Sequence, residues 1–472
     1  MATRETLISS GPIRGIPCES PDVSVFKGIP FAAPPTGVNR WKPPMPPAAW
    51  TDMRDCGTFS PVCPQTDFDP ESFYYREFYY ELAAEPMSED CLYLNVWTPA
   101  VAKSEKLPVL FWIHGGGFVH GAGSEIEFDG EAISKSGAIL VTFNYRVGVF
   151  GFLAHPELTR ESPEGSSGNY GIQDQIAALK WTRQNIAAFG GDPDNITIFG
   201  QSAGAMSVQL LLASPLVAGD IARAVAQSGG GLGTFGRAQG IRDAETNGVQ
   251  WLEASGWDSI RLAREKTAEE LHASLERVRT PDGAHKFGFR PVVDGYVTID
   301  DPARTLLYGN IPAIPLMIGS LSDEGTSLGG KHGITVSMAA SSRALAGIWT
   351  DRTGCPAYHY HFSRKAPGDD QAQYGAFHSA ELWYLFGTQG RAWRPWEPID
   401  NTLSRYLVGY WTNFAKNGDP NGAGLPAWPA FTRESPLTQR ISEQTAPFRL
   451  DADPEVKAAE AAVLAVIDGW VP

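Results

Sequence analysis

The stretch ITIFGQSAGAMSVQLLLAS, Ile196 to Ser214, carries the pattern strand, sharp Gly-x-Ser-x-Gly turn, helix, with Ser202 at the apex. Ile196 to Phe199 are β-branched or aromatic, Gly200 and Gly204 permit a tight turn and close helix–strand approach, and Ala205 to Ala213 are good helix formers. Such a turn exposes a serine hydroxyl as a nucleophile. The pentapeptide alone is weak, since a chain with 50 glycines in 472 residues meets it by chance, and Gly325, Ser327 and Gly329 fit it too. Ser327, however, stands apart from the apolar run Ile314 to Ile318 and is followed by GGKHG, which does not start a helix. Context therefore selects Ser202.

A nucleophilic serine needs a base and a site for the oxyanion. In LPVLFWIHGGGFVHG an apolar run, Val109 to Ile113, ends in Gly115, Gly116 and Gly117, whose N–H groups can face a pocket together with that of Ala203. A phosphate-cradling loop would need Lys and Ser or Thr before a helix, and Phe118-Val119 stands there instead. His114 reads as support for this loop.

In this architecture the acid and then the histidine follow the serine. Of nine histidines, His272 sits in the charged helical stretch AEELHASLERV and reads as a solvated face, while His359 and His361 alternate on a strand and read as ordinary strand residues. His332 and His285 stand in glycine-containing loops; His378, in GAFHSAELWYLFG, lies at a loop-to-helix junction among aromatic residues and leads them modestly. Asp323 and Glu324, in IGSLSDEGTS, both follow a strand end, and residue physics alone leaves that choice open.

The runs FKGIPFAAPPTGVNRWKPP, SEDCLYLNVWTP, IHGGGFVHG, FNYRVGVFGFL, GNYGIQDQIAALKWTRQNIAAFGGDPDNITIFGQSAG, QSGG, FRPVVDG, SDEG, HSAELWYLFG and WTNFAKNGDPN together resemble the type-B carboxylesterase and cholinesterase family over nearly the whole chain. The resemblance implies an α/β-hydrolase fold and an esterase with Ser202 as nucleophile, His378 as general acid and base, and Glu324 as the orienting acid. It further implies an oxyanion hole of Gly116, Gly117 and Ala203, a buried supporting serine at Ser228, Phe287 at the acyl pocket, a buried Arg146–Asp174 pair, and a Cys63–Cys91 disulfide. The family commonly carries Glu before the nucleophile, where this chain has Gln201, and the choline-binding tryptophan lacks a clear counterpart. Both departures argue for neutral esters. Phe73, Tyr74, Tyr75, Phe78, Tyr79 and Tyr80, between Cys63 and Cys91, form an aromatic cluster that either walls the pocket mouth or simply packs. Only 53 residues separate Glu324 from His378, which predicts a trimmed helical cap and an open gorge.

Composition agrees with one large α/β body spanning residues 1–472, since no linker or repeat divides it and 43% of residues are hydrophobic. Apolar runs at Val109–Ile113, Ala138–Asn144, Ile196–Phe199, Ala222–Ala226 and Ile314–Ile318 alternate with helical stretches such as Gln173–Ala188, which predicts a mainly parallel sheet covered on both faces. Thr6 to Val25 is expected to add a small antiparallel sheet. A net charge of −15 argues against nucleic acid, and no apolar run approaches the roughly 18 residues of a membrane span. The start MATRETLISSGPIRGI lacks an apolar signal region, so the expectation is a cytoplasmic protein acting on a small ester, with no cofactor or metal needed and the oligomeric state open. A reducing cytoplasm would leave Cys63 and Cys91 as thiols, against the family's disulfide.

Overall fold

The computed structural model describes residues 2–66, 68–82, 85–233, 238–276 and 287–469. Sixteen strands are described: β1 (Glu5–Ile8), β2 (Gly11–Arg14), β3 (Ile16–Pro17), β4 (Ser24–Pro30), β5 (Arg54–Asp55), β6 (Tyr93–Thr98), β7 (Leu107–Ile113), β8 (Ile139–Phe143), β9 (Gly191–Gln201), β10 (Arg223–Gln227), β11 (Gln239–Gly240), β12 (Val292–Val293), β13 (Leu316–Leu321), β14 (Ala357–Phe362), β15 (Thr438–Ile441) and β16 (Ala446–Phe448). Eleven of them form one sheet in the order β16-β15-β14-β13-β10-β9-β7-β8-β6-β4-β3. From β15 to β8 every neighbouring pair is parallel, and antiparallel strands close both edges.

Alternation along the central strands shows why both faces are covered. Val109, Phe111 and Ile113 of β7 join one apolar cluster with Ile196 and Ile198 of β9, while Leu110 and Trp112 join the other with Phe199. A parallel strand buried on both sides reads as an unbroken apolar run, which is how these segments look in the sequence. Each such side chain contributes about 1.5–3 kcal/mol on burial. The covering layer includes the helices Tyr170–Asn185, His332–Thr353, Pro398–Asn417 and Pro454–Asp468. The expected helix Gln173–Ala188 begins three residues earlier and tightens into a 3₁₀ turn at Ile186–Phe189.

The N-terminal expectation needs amendment. β1 and β2 are antiparallel, but β5 adds to β2 in parallel, and β3 and β4 join the main sheet instead. The stretch between Glu324 and His378 is spent on the helix His332–Thr353, on β14 and on the returning loop. Arg146 and Asp174 form a buried two-bond ion pair at 2.8 and 2.7 Å, and the Arg146 N–H donates to the same carboxylate at 3.0 Å. That pair ties the loop after β8 to the first helical turns of Tyr170–Asn185. Arg40 binds Glu89 through two N–H groups and donates to the carbonyls of Ala263, Arg264 and Lys266, joining distant loops.

Cys63 and Cys91 stand as two buried thiols rather than as the disulfide that the resemblance implies. A hydrogen bond to Cys63, then burial, pushes the Cys91 thiol well above its usual range.

Candidate active site

In parallel sheets of this kind, loops at the carboxyl ends of the strands meet over a crevice, and five strands deliver groups there. Ser202 follows β9 at φ 56° and ψ −121°, a conformation uncommon for a residue with a Cβ. Two contacts hold it: its N–H donates to Gln227 O at the end of β10 (2.9 Å), and its carbonyl accepts the first helical bond from Met206 (3.0 Å). Gly204 makes the turn feasible, because a Cβ there would stand 2.0 Å from Ile113 O of the adjoining β7. The strained serine is therefore imposed by two strands and a helix together.

β7 delivers the glycine turn. Gly116 and Gly117 have φ of 92° and 63°, and a Cβ on Gly116 would fall 2.1 Å from His120 O. Among the described residues neither of their N–H groups has a protein acceptor, and Ala203, as the first residue of its helix, has an N–H with no partner within that helix. Three donors are thus left for an incoming oxygen. His114 supports the turn, stacked on Tyr145 at 4.2 Å with Nδ1 3.0 Å from Gly115 O, while the Tyr145 hydroxyl donates to His114 O. Burial lowers its pKa to about 3, so it carries no charge.

Glu324, directly after β13, is wholly buried; its Oε1 accepts from Leu321 N–H (2.8 Å), and its Oε2 lies 2.5 Å from Nδ1 of His378. Asp323 instead accepts from Ala376 N–H and the Ser322 hydroxyl. A carboxylate at Nδ1 fixes the tautomer, leaving the Nε2 lone pair to accept. Nε2 is 3.1 Å from the amide nitrogen of Gln201, and Gln201, Ser202 and His378 line a common cavity. Ser228 is wholly buried at φ 51°, its N–H bonded to Gly319 O of β13. Its hydroxyl has no partner among the described residues, so it lies beside the strand that leads to Glu324 without touching that carboxylate.

Two cavities flank Ser202. The larger, about 730 Å³, is walled by Phe118, Met206, Leu210, Leu328 and Met338; the smaller, about 230 Å³, by Gln201, Tyr74, Phe78, Tyr79 and two carboxyls, Glu125 and Glu127. Phe287 lines neither, being buried in the apolar cluster that also holds Trp251 and Phe289. The aromatic cluster does both things considered for it. Phe73 stacks on Tyr374 at 4.0 Å, while the Tyr74 hydroxyl donates to His378 O and meets Ser327 Oγ at 2.9 Å. Tyr75–Tyr79 is a π-helical turn, a local widening of the helix that often marks functional sites. Of the other histidines, His332 is exposed against Glu455, His359 is held between the hydroxyls of Ser342 and Thr438, and the half-buried His272 packs on Phe150. His285 lies outside the described residues.

Three acids escaped the sequence reading: Glu125, Glu127 and Glu381. The signal for the first two was a pair of glutamates two apart in an otherwise apolar, glycine-rich segment just past the glycine turn. Glu381 is wholly buried; its Oε1 accepts from Gln227 Nε2 (3.1 Å), and burial, then Glu324, pushes its pKa to about 7. An unfolded carboxyl ionises near pH 4–5, so between there and about pH 7 the folded chain holds the extra proton and stability falls as pH rises. Glu381→Gln is expected to raise Tm relative to wild type by a gain that grows from pH 5 to pH 8, reaching about a few degrees. Equal shifts at both ends of a calorimetric pH series would disprove this account.

The strained serine at the carboxyl edge of a parallel sheet, with its histidine and acid after later strands, defines a serine hydrolase of the α/β-hydrolase class. The chain belongs to the carboxylesterase family, whose model matches residues 2–338 and 330–461. It is similar to the para-nitrobenzyl esterase of Bacillus subtilis (strain 168), 33% identical over 92% of this chain and 93% of that one, and to carboxylesterase 5A of Canis lupus familiaris, 31% identical over 93% and 87%. A fumonisin B1 esterase of Sphingopyxis macrogoltabida is 40% identical over 67% of this chain, a match that spans 55% of that protein. Among solved structures, a thermophilic PNB esterase superposes with a TM-score of 0.82 at 30% identity, covering 97% of this chain and 99% of its own, and a Geobacillus stearothermophilus carboxylesterase with 0.81 at 34%, covering 97% and 100%. The protein is a serine carboxylic ester hydrolase. Among the described residues no helix is long and apolar enough to cross a membrane.

Proposed function

We propose that the chain hydrolyses neutral carboxylic esters with small to medium acyl groups by two-step acyl transfer through Ser202, His378 and Glu324. The observation that carries the reading is the convergence of the 2.5 Å Glu324–His378 contact and the strained Ser202 on one cavity. His378, oriented by Glu324, takes the Ser202 proton as Oγ attacks the ester carbonyl; the N–H groups of Gly116, Gly117 and Ala203 hold the oxyanion. His378 then protonates the departing alcohol, and water releases the acid by the same steps.

The apolar walls of the larger cavity support a hydrocarbon acyl chain there, and Gln201 in place of a carboxylate beside the reacting centre supports neutral substrates. Hydrolysis of p-nitrophenyl esters from acetate to decanoate is expected to peak at short to medium chains. Rates still climbing at decanoate would overturn the acyl assignment. Fumonisin B1 belongs in the same panel, because the 40% identical relative bears its name; turnover of it far above every simple ester would favour the specialised toxin-ester alternative.

A further inference from the structure

The smaller cavity has a chemistry that acyl transfer itself does not use. Glu125 and Glu127 are 6% and 1% exposed, and both line it beside the rings of Tyr74, Phe78, Tyr79 and Phe128. Both carboxyls face this one cavity, and Glu125 Oε1 accepts from Ala122 N–H at 2.8 Å. Glu127 Oε2 is buried without a hydrogen-bond partner among the described residues. The charges that act on Glu127, from Glu125 and Glu77, are negative, and Glu77 is already held by two N–H groups of Arg394. Burial pushes Glu125 up to about 7 and Glu127 well above the carboxylate range, so near neutral pH the pair retains a proton.

A buried, unsatisfied carboxyl oxygen costs stability, and packing alone would be better served by an apolar side chain. A carboxyl pair sharing a proton presents a donor and a bare acceptor together, which complements a hydroxyl group. The orientation of an ester across Ser202 is set by His378, which must reach the leaving oxygen through Nε2. His378 lines both cavities, but Gln201, the residue in contact with Nε2, lines only the smaller one. The alcohol half therefore faces the two glutamates.

We infer that the smaller cavity is the subsite for the leaving alcohol, and that Glu127 with Glu125 selects alcohols bearing a second hydroxyl near the ester oxygen, as in glycol- and glycerol-type esters. This rests on the assignment of Ser202 and His378 above. At about 230 Å³ the cavity has room for a small alcohol such as glycerol. A quaternary ammonium has no hydrogen to donate to Glu127 Oε2, so it does not fit the same role.

The test compares kcat/KM for glycerol 1-monobutyrate, propyl butyrate and butyrylcholine in wild type, Glu127→Leu and Glu127→Gln. Wild type is expected to prefer the glycerol ester over the propyl ester by about tenfold or more, the usual scale for a buried polar site left unpaired. Glu127→Leu should bring that ratio within about threefold of unity. Because the readout is a ratio within one preparation, the fraction of active enzyme cancels. Should the leucine variant not fold, Glu127→Gln, which keeps the shape but not the shared proton, is expected to lower the ratio in the same direction. A wild-type ratio near one, or a ratio unchanged in the variants, overturns the inference. Butyrylcholine preferred over both esters overturns it too, since the carboxyls would then serve a cation. p-Nitrophenyl butyrate separates the two levels of failure: activity on it with no glycerol preference sinks only the subsite, whereas a wild type idle on every ester sinks the assignment of Ser202.

Discussion

Ser202→Ala is expected to lower kcat for p-nitrophenyl butyrate by about 10⁵- to 10⁶-fold while leaving Tm close to that of wild type. Only the hydroxyl is removed, and among the described residues no protein hydrogen bond to it supports the fold. Alanine meets the same backbone strain at φ 56° as serine does, since both carry a Cβ. What survives in the variant is the contribution of the glycine turn and the Ala203 N–H, about 10³-fold over water. A loss under tenfold would show that another group attacks the ester. A large loss accompanied by a collapse of Tm would instead place Ser202 among the structural residues, so activity and melting are measured on the same sample.

Glu324→Gln is expected to cost about 10³- to 10⁴-fold in kcat. The amide has nearly the carboxylate's shape, and its oxygen can still accept one hydrogen bond. The backbone N–H of Leu321 competes for that oxygen at 2.8 Å, so the amide nitrogen is left facing Nδ1 of His378. A donor at that position selects the tautomer with the proton on Nε2, where it blocks uptake of the serine proton. The neutral amide also withdraws the charge that stabilises the imidazolium formed during attack. Asp323→Asn supplies the contrast. Its carboxylate binds Ala376 N–H and the Ser322 hydroxyl, away from the ring nitrogens, so its kcat should stay within about threefold of wild type. Equal losses in the two variants would refute the assignment of Glu324.

The fold was largely legible because parallel strands buried on both faces leave unbroken apolar runs, and β7, β8, β9, β10 and β13 each fell on such a run. The serine turn was legible for a different reason. Its glycines are demanded by hard contacts, 2.0 Å for a Cβ on Gly204 and 2.5 Å for one on Gly200, and such demands appear as fixed letters at fixed spacing. The choice of Glu324 over Asp323 came only from family resemblance, since two adjacent acids after a strand look alike until the chain direction shows which faces His378. Phe287 lines neither of the two cavities beside Ser202, and an aromatic letter in an apolar stretch does not say which side of the core it faces. Gln201 was singled out for lacking a charge, but its contact with His378 joins residues 177 positions apart, and no local pattern records that. The glutamate pair was overlooked because burial, not spacing, makes two acids unusual.

The division of labour between strand middles and strand ends bears on how this enzyme acquires new substrates. The two apolar clusters are anchored by side chains along the strands, whereas the groups that touch a substrate come from the segments that follow them. Mutation in those segments changes cavity shape without drawing on the free energy that keeps the sheet assembled. Glu125 and Glu127 mark the exception, because both are buried without a counter-ion among the described residues and their replacement by apolar residues is as apt to raise stability as to lower it. Selection for robustness alone would therefore tend to erase them, and their persistence in a lineage would report on the diet of esters that lineage meets.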